Sequence, residues 1–129
     1  MNEKEFKKRI EKGENERVEF KETLNMRDEI GESISAFSNT PGGRILIGVG
    51  DKGEVKGIEI GNKTVEQLAN FIKQNTDNHV YPSIEVVKIE EKEIIIVSIN
   101  ESNEKPVFFK GSAYKRVGKS SHKMSASEI

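Results

Sequence analysis

The chain has 129 residues, which suits one domain able to bury a core of its own. It has no cysteine, which excludes disulfide frameworks and thiolate metal sites, and its formal net charge of −1 weighs against binding nucleic acid by bulk charge alone. Apolar and charged residues each make up 33%, with the apolar ones gathered in runs as a folded core requires, while the charged N-terminus excludes a signal peptide and no run reaches membrane-span length, so a cytoplasmic protein with no membrane partner is expected.

In chain order, residues 3–12 predict a short helix with Phe6 and Ile10 on one face, ended by Gly13. Residues 17–23 predict a strand, with Val18 and Phe20 expected on opposite faces. Asn25 is the expected N-cap of a helix running to about Asn39, with Ile30, Ile34 and Phe37 as its apolar stripe. Thr40-Pro41-Gly42-Gly43 stops it. Residues 44–50 are apolar on both faces, as in a central, doubly covered strand. A turn at Asp51-Lys52-Gly53 then predicts a partner strand over 55–60.

Thr64 with Gln67 reads as a capping box opening a second main helix, whose buried face is Val65, Leu68, Ala69 and Ile72. Residues 84–90 and 93–99 predict one hairpin, and 107–110 with 113–117 another. Residues 125–129 look like the start of a further helix. This order implies an α/β chain of the α+β kind: a mixed, mostly antiparallel sheet with two main helices packed on it. The chain reads as a single domain over 1–129, with 1–12 as an N-terminal helical extension.

Gly48-Val49-Gly50-Asp51-Lys52-Gly53 spells G-x-G-x-x-G, but a dinucleotide fold needs a helix after those glycines and a strand is expected here. A tight turn using Gly50 and Gly53 is the simpler reading, as a helix stop is for Gly42 and Gly43. ATP is therefore not an expected cofactor.

Basic residues dominate from Lys105 to Lys123 with no acid among them, whereas 85–104 is mostly acidic. Such asymmetry marks either a binding face or a solvated strand edge. Glu14 and Glu19 flank the start of the first strand, and Asp51 follows the central one. Converging carboxylates would suit Mg²⁺ or Mn²⁺, although most of the 22 acidic residues are expected to be surface groups. Of the two histidines, His79 is expected to cap or pack at a helix end. His122 lies in a polar loop, where its readings are simple exposure or a general base for RNA cleavage.

Three segments carry a resemblance when taken together: residues 14–21 (ENERVEFK), 36–43 (AFSNTPGG) and 47–57 (IGVGDKGEVKG), with 114–120 (YKRVGKS) also fitting. Their combined pattern resembles the Schlafen AlbA-like domain over about residues 13–129. The resemblance implies an AlbA-like Schlafen core. It also implies a nucleic-acid-binding regulatory domain, for DNA or structured RNA, of the kind found in prokaryotic transcriptional regulators. A divalent-metal-dependent endoribonuclease is the alternative, with Glu14, Glu19 and Asp51 as catalytic and metal-binding carboxylates. A nucleotide-binding or dimerisation module of a larger regulator is a further one. By the same resemblance Lys21, Lys115, Arg116 and Lys119 become phosphate contacts, and a homodimer replaces the two-lobed clamp of the animal family.

Overall fold

The computed structural model describes residues 2–77 and 80–129. Helix α1 spans Glu3–Glu11, and its N-cap Asn2 accepts the Glu5 N–H through its side chain. Strand β1 (Val18–Lys21), helix α2 (Arg27–Ser38) and strand β2 (Gly43–Ile47) form a crossover unit in which the strands pair in parallel. Helix α3 (Thr64–Asn75) leads to the hairpin β3 (Ser83–Ile89) and β4 (Lys92–Ile99). These strands make one sheet in the order β1-β2-β4-β3. A second, antiparallel sheet holds β5 (Phe108–Phe109), β6 (Ser112–Val117) and β7 (Ser120–Lys123). A single 3-10 turn, Ala126–Glu128, follows.

Alternation along the central strands divides the core in two. Ile45 and Ile47 of β2 and Ile95, Val97 and Ile99 of β4 face Ile30, Ile34 and Phe37 of α2 and Leu68 and Ile72 of α3. Leu46, Ile94 and Ile96 face the other way, onto Val18, Phe20 and the α1 residues Phe6 and Ile10. Each such fully buried isoleucine contributes about 1.5–3 kcal/mol relative to exposure. The first helix thus packs into this core through Phe6 and Ile10.

The second sheet is held on α2 by side chains that imitate a strand edge. Ser35 Oγ donates to Val107 O at 2.8 Å and accepts the Tyr114 N–H at 3.0 Å. Asn39 Oδ1 accepts the Val107 N–H at 2.7 Å, and its Nδ2 donates to Tyr114 O at 2.9 Å. These bonds satisfy buried backbone groups and fix where β6 lies.

Several details differ from the sequence expectation. Val18 and Phe20 share one face, as residues two apart in a strand must. Residues 55–60 form no strand. Only a bridge joins Val49 to Val55, because Gly48 O accepts both the Lys56 and Gly57 N–H groups and Gly57 turns at φ 76. The partner of β2 is β4 instead. Neither main helix has a side-chain N-cap: the cap position is Met26 in α2 and Lys63 in α3, with Thr64 Oγ1 accepting from Gly61 N. Ala69 is exposed. The segment around His122 is strand β7, not a loop. His79 lies outside the described residues.

Candidate functional site

The chain enters β1 through a tight reversal in which Asn15 and Val18 exchange backbone hydrogen bonds, and Asn15 Oδ1 accepts the Arg17 N–H. The reversal folds Glu14 back beside the strand, where its Oε2 accepts the Phe20 N–H at 2.8 Å. Val18 and Phe20 point into the core, so alternation turns Glu19 and Lys21 to the opposite face. Arg116 of β6 meets them there. Its Nη1 donates to Glu19 Oε1 at 2.6 Å and to Ser121 Oγ at 3.2 Å. Its Nη2 donates to Asn15 O at 2.9 Å and Val18 O at 3.1 Å. The guanidinium lies 4.8 Å from the centre of the Phe37 ring, and its Nε has no hydrogen-bond partner among the described residues. Lys21 Nζ sits 3.5 Å from Glu19 Oε2.

These neighbours pull the two carboxyls apart in acidity. Burial raises Glu14 most, and its hydrogen bond with Glu19 and the charges of Glu19 and Asp51 add to this against the Phe20 N–H, giving about 7. Burial also pushes Glu19 up, but the hydrogen bonds from Glu14 and Arg116 and the charges of Lys21 and Arg116 outweigh it and hold Glu19 below its usual value. Near neutral pH the pair therefore holds a proton on Glu14, while Glu19 is the ionised partner.

Of the three carboxylates singled out in the sequence, two meet. Asp51 is exposed in the turn after β2 and reaches Glu14 only through its charge. Among the described residues no group of three or more His, Asp or Glu side chains is placed to hold a metal ion. Both oxygens of Glu19 already face cations, and Glu14 is half neutral near pH 7, so in this arrangement Glu19 offers a divalent ion no open oxygen. The glycines serve the backbone. Gly42 has φ 100, and a Cβ on Gly43 would lie 2.4 Å from the Phe37 ring. Gly53 has φ 85, and the Gly50 and Gly53 amides close the turn around Asp51.

The four basic candidates separate. Arg116 is expected on the surface as a phosphate contact, but its side chain is 1% exposed and it spends its donors inside the protein. Strand alternation is the reason: Arg116 points in and Lys115 points out. Lys21 is largely covered beside Glu19. Lys115 is ion-paired with Glu128. Lys119 lines a shallow groove of about 350 Å³ together with Asn15, Glu16, Arg17 and Gly118. Sequence reasoning passed over Arg17 in that groove, although it lies inside the 14–21 segment, and over the docking residues Ser35 and Asn39.

The quoted segments therefore converge in space. Glu14, Glu19 and Lys21 meet Arg116 from the 114–120 segment and Phe37 from the 36–43 segment. Gly48 and Val49 from the third segment donate to Lys21 O at 2.7 and 3.2 Å.

Comparison with solved structures gives the same fold. The chain is similar to the DIP2311 protein from Corynebacterium diphtheriae, with TM-score 0.73 and 21% identity over 88% of this chain, which spans 23% of that longer protein. It is also similar to the N-terminal domain of a RecG-related protein, of the ATP-dependent DNA helicase type, from Nitrosomonas europaea. There the TM-score is 0.69 and the identity 24%, over 93% of this chain and 91% of that one. No curated protein matches the sequence. The family described as Schlafen, AlbA_2 matches residues 14–125. That span holds every segment that builds the Glu14–Glu19–Arg116 cluster, and the chain belongs to the Schlafen AlbA_2 family.

Proposed function

We propose that this domain binds nucleic acid through its phosphate backbone, as a regulatory domain for DNA or structured RNA. The observation that carries this reading is the groove that Arg17 and Lys119 line together with Asn15, Glu16 and Gly118, two cations against one carboxylate. The groove lies against the buried Arg116 cluster: Arg116 holds Asn15 O from inside, which fixes one wall of the groove. Rigid placement matters because the net charge of −1 supplies no general attraction, so affinity depends on a few well-placed cations. The RecG-related name of one structural neighbour is consistent with a nucleic-acid setting. A homodimer would present two such grooves, in a regulator of transcription working in the cytoplasm. Fluorescence anisotropy with labelled duplex DNA and hairpin RNA tests the reading. Salt-dependent binding that weakens in Arg17→Gln and Lys119→Gln supports it, and no binding to either probe rejects it.

The metal-dependent endoribonuclease remains the second reading, because the Asp51 charge reaches Glu14. It requires Arg116 and Lys21 to release Glu19 first, since both of its oxygens are engaged. Cleavage of RNA that needs Mn²⁺ or Mg²⁺ and disappears in Asp51→Ala would favour it over simple binding.

A further inference from the structure

We propose that Glu128 is a built-in competitor for the phosphate that Lys115 would otherwise contact, so that the turn at 125–128 sets the affinity of the basic face. The inference rests on the nucleic-acid reading above and names the regulation of that site. Three observations lead to it. First, Lys115 lies on the outward face of the β6–β7 hairpin. Its neighbour Arg116 is turned inward by its bond to Glu19, so strand alternation turns Lys115 outward, and Lys115 stands opposite His122 in register. Second, its ammonium group is taken by Glu128 Oε2. Third, that carboxylate is held in place. The Ser125 N–H donates to Glu128 Oε1 at 2.8 Å, and the Glu128 N–H donates to Ser125 O at 3.0 Å. The turn is itself anchored, because the Met124 N–H donates to Ala113 O at 2.8 Å on β6.

A free surface carboxylate loses side-chain entropy when it pairs, which is why most exposed ion pairs are weak. The capping box fixes the Glu128 side chain before Lys115 arrives, so much of that loss is already met by the turn. A phosphate oxygen and a carboxylate oxygen ask the same thing of an ammonium group, and one excludes the other. Arg17 and Lys119 have no such partner among the described residues, so they meet the ligand first. Lys115 joins only when Glu128 gives way.

The test is anisotropy with labelled duplex DNA and hairpin RNA between 50 and 200 mM salt (about the range over which phosphate contacts are lost), using Glu128→Gln, Lys115→Gln and the double variant. Release of an exposed pair predicts that Glu128→Gln binds about two- to five-fold more tightly. Its log–log salt dependence steepens by about one further phosphate contact. Lys115→Gln changes little, and the double variant matches it. Circular dichroism of Glu128→Gln checks that the fold is kept, and Glu128→Lys, expected to enhance binding further, guards against an effect of the turn alone. A wild type that binds while Glu128→Gln and Glu128→Lys bind no better overturns the competitor. An enhancement that persists without Lys115 overturns it as well. If neither the wild type nor any variant binds either probe, the nucleic-acid reading itself fails, and the competitor with it.

Discussion

Arg116 and Glu19, 97 residues apart in the chain, meet at 2.6 Å, with the arginine side chain only 1% exposed. This contact ties the small sheet to the edge of the main one. A buried ion pair adds little over a well-packed apolar pair, but leaving one partner alone is expensive. Arg116→Ala should therefore destabilise the domain by about 3–5 kcal/mol. Arg116→Lys should rescue little, because a single ammonium cannot also reach Asn15 O and Val18 O. Arg116→Met with Glu19→Met should cost less than Arg116→Ala alone. Urea denaturation of the four proteins measures the ordering.

The Glu14 carboxyl, raised to about 7, makes stability depend on pH. The folded state holds this proton more tightly than the unfolded chain does, so the stability it contributes is full below pH 4.5 and is lost as pH rises through about 7. Glu19, held low, acts oppositely and costs stability only as pH falls through its lowered value. Glu14→Gln keeps an acceptor for the Phe20 N–H and a donor for Glu19. It should match the wild type near pH 5, below the value of about 7, and exceed it near pH 8 by about 1 kcal/mol. That figure is reduced from the full linkage value because Glu14 is part-exposed. Thermal melting across this range decides it, and a parallel decline in both proteins contradicts the shared proton.

The β3–β4 hairpin turns on Glu90 and Glu91, both left-handed at φ 54 and φ 66. That geometry favours Asn-Gly, and a side chain there is strained. Lys7 pairs with Glu90 at 3.0 Å and Glu3 accepts its N–H, so α1 holds the turn. Glu91→Gly should raise stability by about 0.5–1 kcal/mol in urea denaturation.

Gly31 lies under the Phe109 ring, and a Cβ there would stand 2.1 Å from Phe109 Cε1. Alanine usually strengthens a helix, yet Gly31→Ala should weaken this one by about 1–3 kcal/mol, because the buried ring has to move. The Phe71–Phe109 contact, now at 5.9 Å between ring centres, should loosen with it. Chemical denaturation measures the loss, and an unchanged midpoint would contradict the packing.

Much of this architecture was legible in the chain. The Ile45-Leu46-Ile47 run announced a doubly covered strand, and Ile30, Ile34 and Phe37 announced the face of α2. The convergence of Glu14 with Glu19 followed from the family segments. Less visible was the direction of Arg116. Alternation places Tyr114 and Arg116 on one face of β6, but only the bonds of the Arg116 guanidinium to Glu19, Asn15 and Val18 show that this face is the inner one. The strand expected over 55–60 failed for a local reason: Gly57 turns the chain away, and Ile58 and Ile60 pack on the core as a coil. The Lys115–Glu128 pair had no sequence signal beyond opposite charge, because an i, i+13 contact depends on how the tail folds back over β6.

The most direct measurement is the salt dependence of nucleic-acid binding by the wild type and by Arg17→Gln with Lys119→Gln. Groove binding predicts measurable affinity for a labelled duplex or hairpin at low salt. It also predicts that each neutralised cation lowers the log–log slope by about 0.7–0.9 while the fold is retained. Binding with the same affinity and slope in the double variant would place the contact elsewhere, and no binding by the wild type would contradict the proposed function.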